Sequence, residues 1–143
     1  MLFGNMPRDG GHLFLTSDEA SALRSDRKYA HLVRNFVGSE ELINGKKRYC
    51  LWIEAEQYQL ALQNDFIANR LKKVAENRRS SPAQSTKDYA NQPYRFVQIA
   101  GRAEKNVIVV PRVSSENRNY LPVDFLSDSY THLRAHETLD NLV

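Results

Sequence analysis

The 143 residues predict an α+β fold, a single mixed domain with short helices and a small, mainly antiparallel sheet, expected to be truncated at both ends. Three features carry that reading. Phe66, Ile67, Leu71, Val74 and Ala75 recur at helical spacing and give one apolar face to a helix from about Asn64 to Arg79. Val107 to Val110 is a continuous β-branched run, the pattern of a buried strand. Arg48 to Ile53 is a second strand-like run, close behind Asn44-Gly45, two residues that tolerate positive φ and mark a tight reversal.

In chain order, Met1 to Gly11 holds three glycines and a proline without periodicity and reads as a loop tied to something upstream. His12 to Leu15 suits a short strand. Thr16-Ser17-Asp18-Glu19 has the capping-box pattern, so a helix is expected from there to about Arg24. Tyr29, Leu32, Val33 and Phe36 recur at three and four residues, predicting a second helical face that stops near Gly38, after which Ser39 caps a short turn through Leu42. Between the long helix and the last strands, Arg79 to Pro93 is rich in Ser, Gln, Asn and Pro and is expected to be a surface linker or exposed loop. Tyr94 to Ile99 is expected as a strand joined to Val107–Val110 through a hairpin at Gly101 to Asn106. There is no internal repeat.

A chain of this length buries roughly 68–70% of its unfolded surface, enough for a real core. With 41% hydrophobic and 26% charged residues, composition favours neither a disordered nor a membrane class. No stretch approaches the roughly 18 apolar residues of a membrane span, and the N-terminus lacks a signal-peptide apolar region, so a cytoplasmic protein is expected. Cys50 stands alone, which excludes an intramolecular disulfide and a cysteine-based zinc site and makes it a small buried hydrophobe on a strand. The net charge is +3, unevenly spread: Arg70 to Arg118 carries 11 Lys/Arg against 4 Asp/Glu, and the rest of the chain 9 against 13. Such asymmetry points to an anionic partner, with phosphate backbones the commonest. On charge alone, an ordinary solvated surface explains it as well.

Asn91-Gln92-Pro93-Tyr94 resembles the Asn-Pro-Pro-aromatic motif of amino-methyltransferases, but the second proline is missing and no glycine-containing βαβ cofactor unit accompanies it. A turn entering a strand is the better reading. His132 and His136 have helical metal-ligand spacing, with Glu137 beside them, but lack a third ligand. His12 and His31 lie near apolar positions and read as structural. Ser114 and Ser115 sit in no nucleophile elbow. No active site assembles.

Arg112 to Arg118 differs, because it places Arg, Ser, Ser, Glu, Asn and Arg directly after a buried strand. In a major groove Arg donates bidentately to guanine, Glu accepts from the cytosine amino group and Asn pairs with adenine. Glu116 and Arg118 are two apart, so an extended segment turns both to the same side. Taken alone, the segment reads better as an exposed loop with a Glu–Arg pair.

Leu2-Phe3-Gly4-Asn5-Met6-Pro7, Asp9-Gly10-Gly11, Phe36 to Trp52 and Pro111 to Pro122 together resemble the target-recognition domain of MmeI-like restriction–modification enzymes and related adenine-specific DNA methyltransferases. The resemblance covers most of Met1 to Leu126, with several separated motifs in order. It implies a parent polypeptide whose upstream domain uses S-adenosylmethionine to methylate adenine N6, sometimes preceded by an endonuclease domain. It further implies that the segment matching Ser114 to Arg118 lies against the target bases. Glu116 and Arg118 are then readout residues, with Arg112, Ser115 and Asn117 as weaker candidates. The upstream cofactor and catalytic motifs are absent, so this chain alone is not expected to methylate, and Met1 is expected to be internal or a fragment boundary. Ser129 to Thr138 resembles translated sequencing-adapter read-through, so 1–126 is expected to be the recognition domain and 127–143 a non-native or disordered tail.

The sequence therefore predicts sequence-specific duplex DNA recognition, with Arg70, Lys72, Lys73, Arg78, Arg79 and Lys105 on the phosphate backbone and the Arg112 to Arg118 segment on the bases. Its expected partners are double-stranded DNA and the upstream methyltransferase domain, with no membrane. The rival is a non-catalytic RNA- or protein-binding α+β module.

Overall fold

The computed structural model describes residues 5–99, Val107–Val109, Asn119, Asp124–Leu126, His132–Leu133 and Thr138–Leu139. The chain divides into two compact units, one of Pro7–Val33 and Tyr49–Val97, the other of Met1–Met6, Arg34–Arg48 and Gln98–Val143. Short helices and a small antiparallel sheet bear out the α+β class.

In the Pro7–Val33 and Tyr49–Val97 unit, strand β1 (Phe14–Leu15) pairs antiparallel with β3 (Arg48–Leu51), Phe14 opposite Cys50 and Leu15 opposite Tyr49. The Leu51 amide extends the pairing by donating to the Leu13 carbonyl at 2.8 Å. Helix α1 (Ser17–Ser25) begins at the predicted capping box: the Glu19 amide donates to Thr16 Oγ1 at 3.2 Å, and the Thr16 amide to Glu19 Oε2 at 2.9 Å. Helices α3 (Tyr58–Leu62) and α4 (Asp65–Arg79) follow, the second capped by Asn64, whose side chain accepts from the Ile67 amide at 3.1 Å. Ile67, Leu71, Val74 and Ala75 bury the α4 stripe that periodicity predicted, while Phe66 remains partly exposed at its edge. Leu13, Leu32, Cys50, Leu51 and Phe96 complete this core, and the Trp52 and Phe96 rings meet at a centroid distance of 5.1 Å.

Two expectations fail here for one kind of reason, which is that tertiary partners capture backbone groups that local patterns assign elsewhere. Tyr29 to Phe36 is not a helix. A single 3₁₀ turn, Ala30–Leu32, gives way to strand β2 (Val33–Val37), and the Leu32 carbonyl accepts from the Trp52 amide at 2.8 Å instead of from a helical neighbour. Arg79 to Pro93 is not an exposed linker either: it contains helix α5 (Gln84–Lys87), and Thr86, Ala90 and Pro93 are buried.

What captures that segment is Arg78. Its side chain is 0% exposed, and all five guanidinium N–H groups go to main-chain carbonyls. Nε donates to Arg8 at 3.2 Å, Nη1 to Tyr89 at 3.1 Å and Gln92 at 2.8 Å, and Nη2 to Pro7 at 2.8 Å and Arg95 at 2.5 Å. The last turn of α4 thereby fastens both the Pro7–Arg8 turn and the loop after α5. Tyr94 to Ile99 forms no strand, because the Gln92 and Arg95 carbonyls are committed to Arg78. In the other unit Gln98 bridges Met6, with amide–carbonyl bonds of 2.9 and 3.0 Å.

The unit of Met1–Met6, Arg34–Arg48 and Gln98–Val143 contains helix α2 (Ser39–Asn44), whose N-cap is Gly38 and not Ser39; the Gly38 amide donates to Glu41 Oε2 at 2.9 Å. Gly45 ends α2 at φ 64°, which explains the Asn44-Gly45 reversal. Strand β4 (Val107–Val109) is central in a three-stranded antiparallel sheet, flanked by β5 (Asp124–Leu126) and β7 (Thr138–Leu139). Val107 faces Leu126 and Val109 faces Asp124, while Ile108 also aligns with Leu139. Strand β6 (His132–Leu133) runs parallel to β2, Phe36 opposite His132. Residues after Leu126 thus supply two short strands; the predicted hairpin connection at 101–106 lies outside the described residues.

Two predictions follow from these contacts. Arg78→Ala takes a donor from five main-chain carbonyls, of which Tyr89 and Gln92 keep the Gln92 and Arg95 amides, and is expected to cost more than about 3 kcal/mol in urea unfolding, with Arg78→Lys, which has three donors, in between. A loss below about 0.5 kcal/mol for the alanine variant rules out the network as a determinant of stability. The second concerns Glu19, whose carboxyl is held below its ordinary 4.5 by the Thr16 amide and then by the Arg70 charge. A depressed carboxylate pKa gives stability that is fully present above about pH 4.5 and lost as pH falls through the lower folded value. The stability gap between wild type and Glu19→Gln should therefore be constant near neutrality and shrink in acid. A gap that persists unchanged to about pH 3 contradicts this.

Candidate nucleic-acid interface

Helix α4 contributes most of the predicted backbone cations, and its amphipathic period sorts them. Ile67, Leu71, Val74 and Arg78 fall on the inward stripe. Arg78 is therefore a correction: its guanidinium lies inside the fold and is saturated by carbonyls, so it cannot reach a phosphate. Burial pulls its pKa down to about 10, still far above neutrality, and the buried Asp9 carboxylate opposes that fall. Arg70 is also engaged, half-buried beside α1, where Nη2 pairs with Glu19 Oε1 and Nη1 donates to the Phe14 carbonyl at 3.5 Å. It joins α4 to α1 and β1 and is a poor candidate for a phosphate.

Lys72, Lys73 and Arg79 are exposed, and none forms an ion pair among the described residues. Lys72 and Arg79 are seven residues apart, two helical turns, which puts them on one face about 10 Å apart along the axis. Each can therefore meet its own phosphate. Arg79 and the half-turn around it also sit at the helix C-terminus, where positive charge suits the helix dipole. Lys105 lies outside the described residues, as do Arg112, Ser115, Glu116, Asn117 and Arg118. Their flanks are described: Val109 at the end of β4 pairs with Asp124 at the start of β5, and Asn119 is exposed. The chain carrying the predicted readout residues thus departs from and returns to the same end of one antiparallel pair.

Asn91-Gln92-Pro93-Tyr94 is structural. Pro93 is buried, the Gln92 carbonyl accepts from Arg78, and the Tyr94 ring lies 4.6 Å from that of Tyr58. Among the described residues no cluster of His, Cys, Asp and Glu could hold a metal, and no helix is long and apolar enough to cross a membrane. His31 is exposed and His12 half-buried. An open groove of about 530 Å³ lies between α1 and the start of α4, with Asp18, Glu19 and Asp26 around Leu23 and Phe66. Its acidic rim repels phosphate. Two exposed cations that sequence reasoning passed over, Arg8 and Lys87, sit around the Arg78 network. Arg8 directly precedes Asp9-Gly10-Gly11, a turn signal that could have drawn attention to it.

Comparison with known proteins agrees with the motifs. DNA methyltransferase A of Bacillus subtilis (strain 168) is 40% identical over 124 residues, covering 85% of this chain and 14% of that protein. The solved structure of the type IIL restriction-modification enzyme MmeI in complex with DNA superposes with a TM-score of 0.80 at 29% identity, covering 96% of this chain and 18% of that one. The chain thus spans less than a fifth of the length of either relative. The family model described as MmeI, target recognition domain, matches residues 1–140, and the chain belongs to that family.

Proposed function

We propose that this chain selects the DNA site for a site-specific adenine-N6 methyltransferase of a restriction–modification system, binding duplex DNA while the rest of the parent polypeptide performs the transfer. The observation that carries this is the family match over 1–140, supported by a solved relative at 29% identity that was captured on DNA. In the parent, S-adenosylmethionine supplies the methyl group and is held outside this chain. The parent's other domains are its partners in the same polypeptide.

Within that reading, Lys72, Lys73 and Arg79 hold the duplex through its phosphates, without regard to sequence. Glu116 and Arg118 read base edges, assisted by Arg112, Ser115 and Asn117. An approach to one end of an antiparallel pair suits this division, because paired strands give the connecting segment a fixed base.

Substitution in the full-length parent enzyme separates the two roles. Exchanging Glu116 and Arg118 for other polar pairs is expected to change which sequence is methylated while some site is still modified at a normal rate. Unchanged site choice sinks the readout assignment. Lys72→Gln and Lys73→Gln are expected to weaken binding equally on all duplexes, each reducing the slope of log affinity against log salt by about 0.9. Equal slopes before and after remove these lysines from the interface.

A further inference from the structure

We propose that Arg8 is a DNA-backbone contact, presented on a strained turn that the Arg78 network holds in shape. This rests on the DNA-recognition reading above and adds to it a surface that α4 alone does not supply.

Arg8 has φ 45°, and among the described residues it is the non-glycine residue in the left-handed region. Such a conformation persists where the surroundings over-determine it, and it marks places where a side chain is needed in spite of the backbone. Both conditions hold. The Pro7 and Arg8 carbonyls are clamped by Arg78, and the buried Asp9 carboxylate accepts from the Gly11 amide at 3.0 Å and the Leu13 amide at 2.5 Å. Were a turn all that is required, glycine or asparagine would adopt it with less strain.

Arg8 is exposed, and its positive charge meets no acidic partner among the described residues. Nη1 rests on two neutral hydroxyls, Ser85 Oγ at 3.4 Å and Thr86 Oγ1 at 3.3 Å, and no carboxylate pairs with it among the described residues. Asp9, its neighbour, faces inward with both oxygens occupied by amides. Other cations are attached to the same network. Arg79 follows Arg78, Lys87 follows Thr86, and Arg95, whose carbonyl Arg78 binds, lies 5.3 Å above the Tyr89 ring. The nearby Asp88 accepts from Gln84 Nε2 at 2.9 Å. Several cations on one rigid frame, one of them an oriented guanidinium fork, match a polymer of regularly spaced phosphates.

The test is duplex binding by the full-length parent protein across a salt series, for wild type, Arg8→Gln, Arg8→Gly and Arg8→Lys, on a duplex carrying its methylation site and on an unrelated one. Gln and Gly are expected to make the slope of log affinity against log salt shallower by about 0.9 on both duplexes, and Lys to keep it. Because glycine relieves the strained φ, Arg8→Gly should melt no lower than wild type while losing the contact, which separates binding from folding. A steep wild-type slope left unchanged by Gln and Gly overturns the Arg8 proposal alone. A wild type without salt-dependent duplex binding overturns the recognition reading and this proposal with it.

Discussion

One buried guanidinium fixes the geometry of the Pro7–Val33 and Tyr49–Val97 unit. Loops cannot be buried unless their carbonyls find donors, since an unsatisfied polar group inside a fold costs about 1–3 kcal/mol. Arg78 supplies five donors in one plane from the last turn of α4, and they serve carbonyls from Pro7 to Arg95. Lysine offers a point charge with three donors and cannot serve five dispersed acceptors. The charge itself is costly inside a protein, and the nearby Asp9 carboxylate reduces that cost. Consequently the turn and loop segments of this unit depend on a helix interior, not on their own local propensities.

The same network explains why strain is tolerated beside it. Arg8 at φ 45° and Gly10 at φ 67° lie in one short turn. A Cβ at Gly10 would meet the Asn77 side-chain amide at 2.6 Å, the movable end of an exposed side chain on α4, so it is the left-handed torsion that calls for glycine there. Asn77 precedes Arg78, and thus adjacent residues of one helical turn meet the N-terminal turn by packing and by hydrogen bonding. Two constraints in series from a rigid helix hold a backbone conformation that a free loop would leave.

Much of this was legible in the sequence, and the exceptions are instructive. The α1 capping box, the α4 stripe and the Asn44-Gly45 reversal are local devices, so Thr16, Glu19, Asn64 and Gly45 announce them. The Val107–Val109 strand is announced by β-branching, though its neighbours are not. What misled was periodicity without its partner: Tyr29, Leu32, Val33 and Phe36 fit a helix, yet Trp52 takes the Leu32 carbonyl and the chain extends into β2. Arg78 misled in the same way. A cation at a helix end reads as solvated, and nothing in Arg79 to Pro93 reveals that its carbonyls need an interior donor. The sorting of cations into structural and solvent-facing ones thus follows the helical period of α4, where position 78 continues the apolar stripe and positions 72, 73 and 79 do not.

That sorting bears on how recognition can work under the proposed reading. Specific protein–DNA binding exceeds non-specific binding by about 4–10 kcal/mol, and phosphate contacts contribute nothing to the difference. A good bidentate pair with a base discriminates by about 1–3 kcal/mol. Five polar side chains, Arg112, Ser115, Glu116, Asn117 and Arg118, therefore span a range that overlaps what a specific site needs. One short segment between β4 and β5 can carry the choice of sequence, leaving Lys72, Lys73, Arg79 and Arg8 to set affinity. On that proposed reading, the salt dependence of binding and the choice of sequence are set by different residues, so a substitution among the phosphate-facing lysines has no physical reason to change which sequence is chosen.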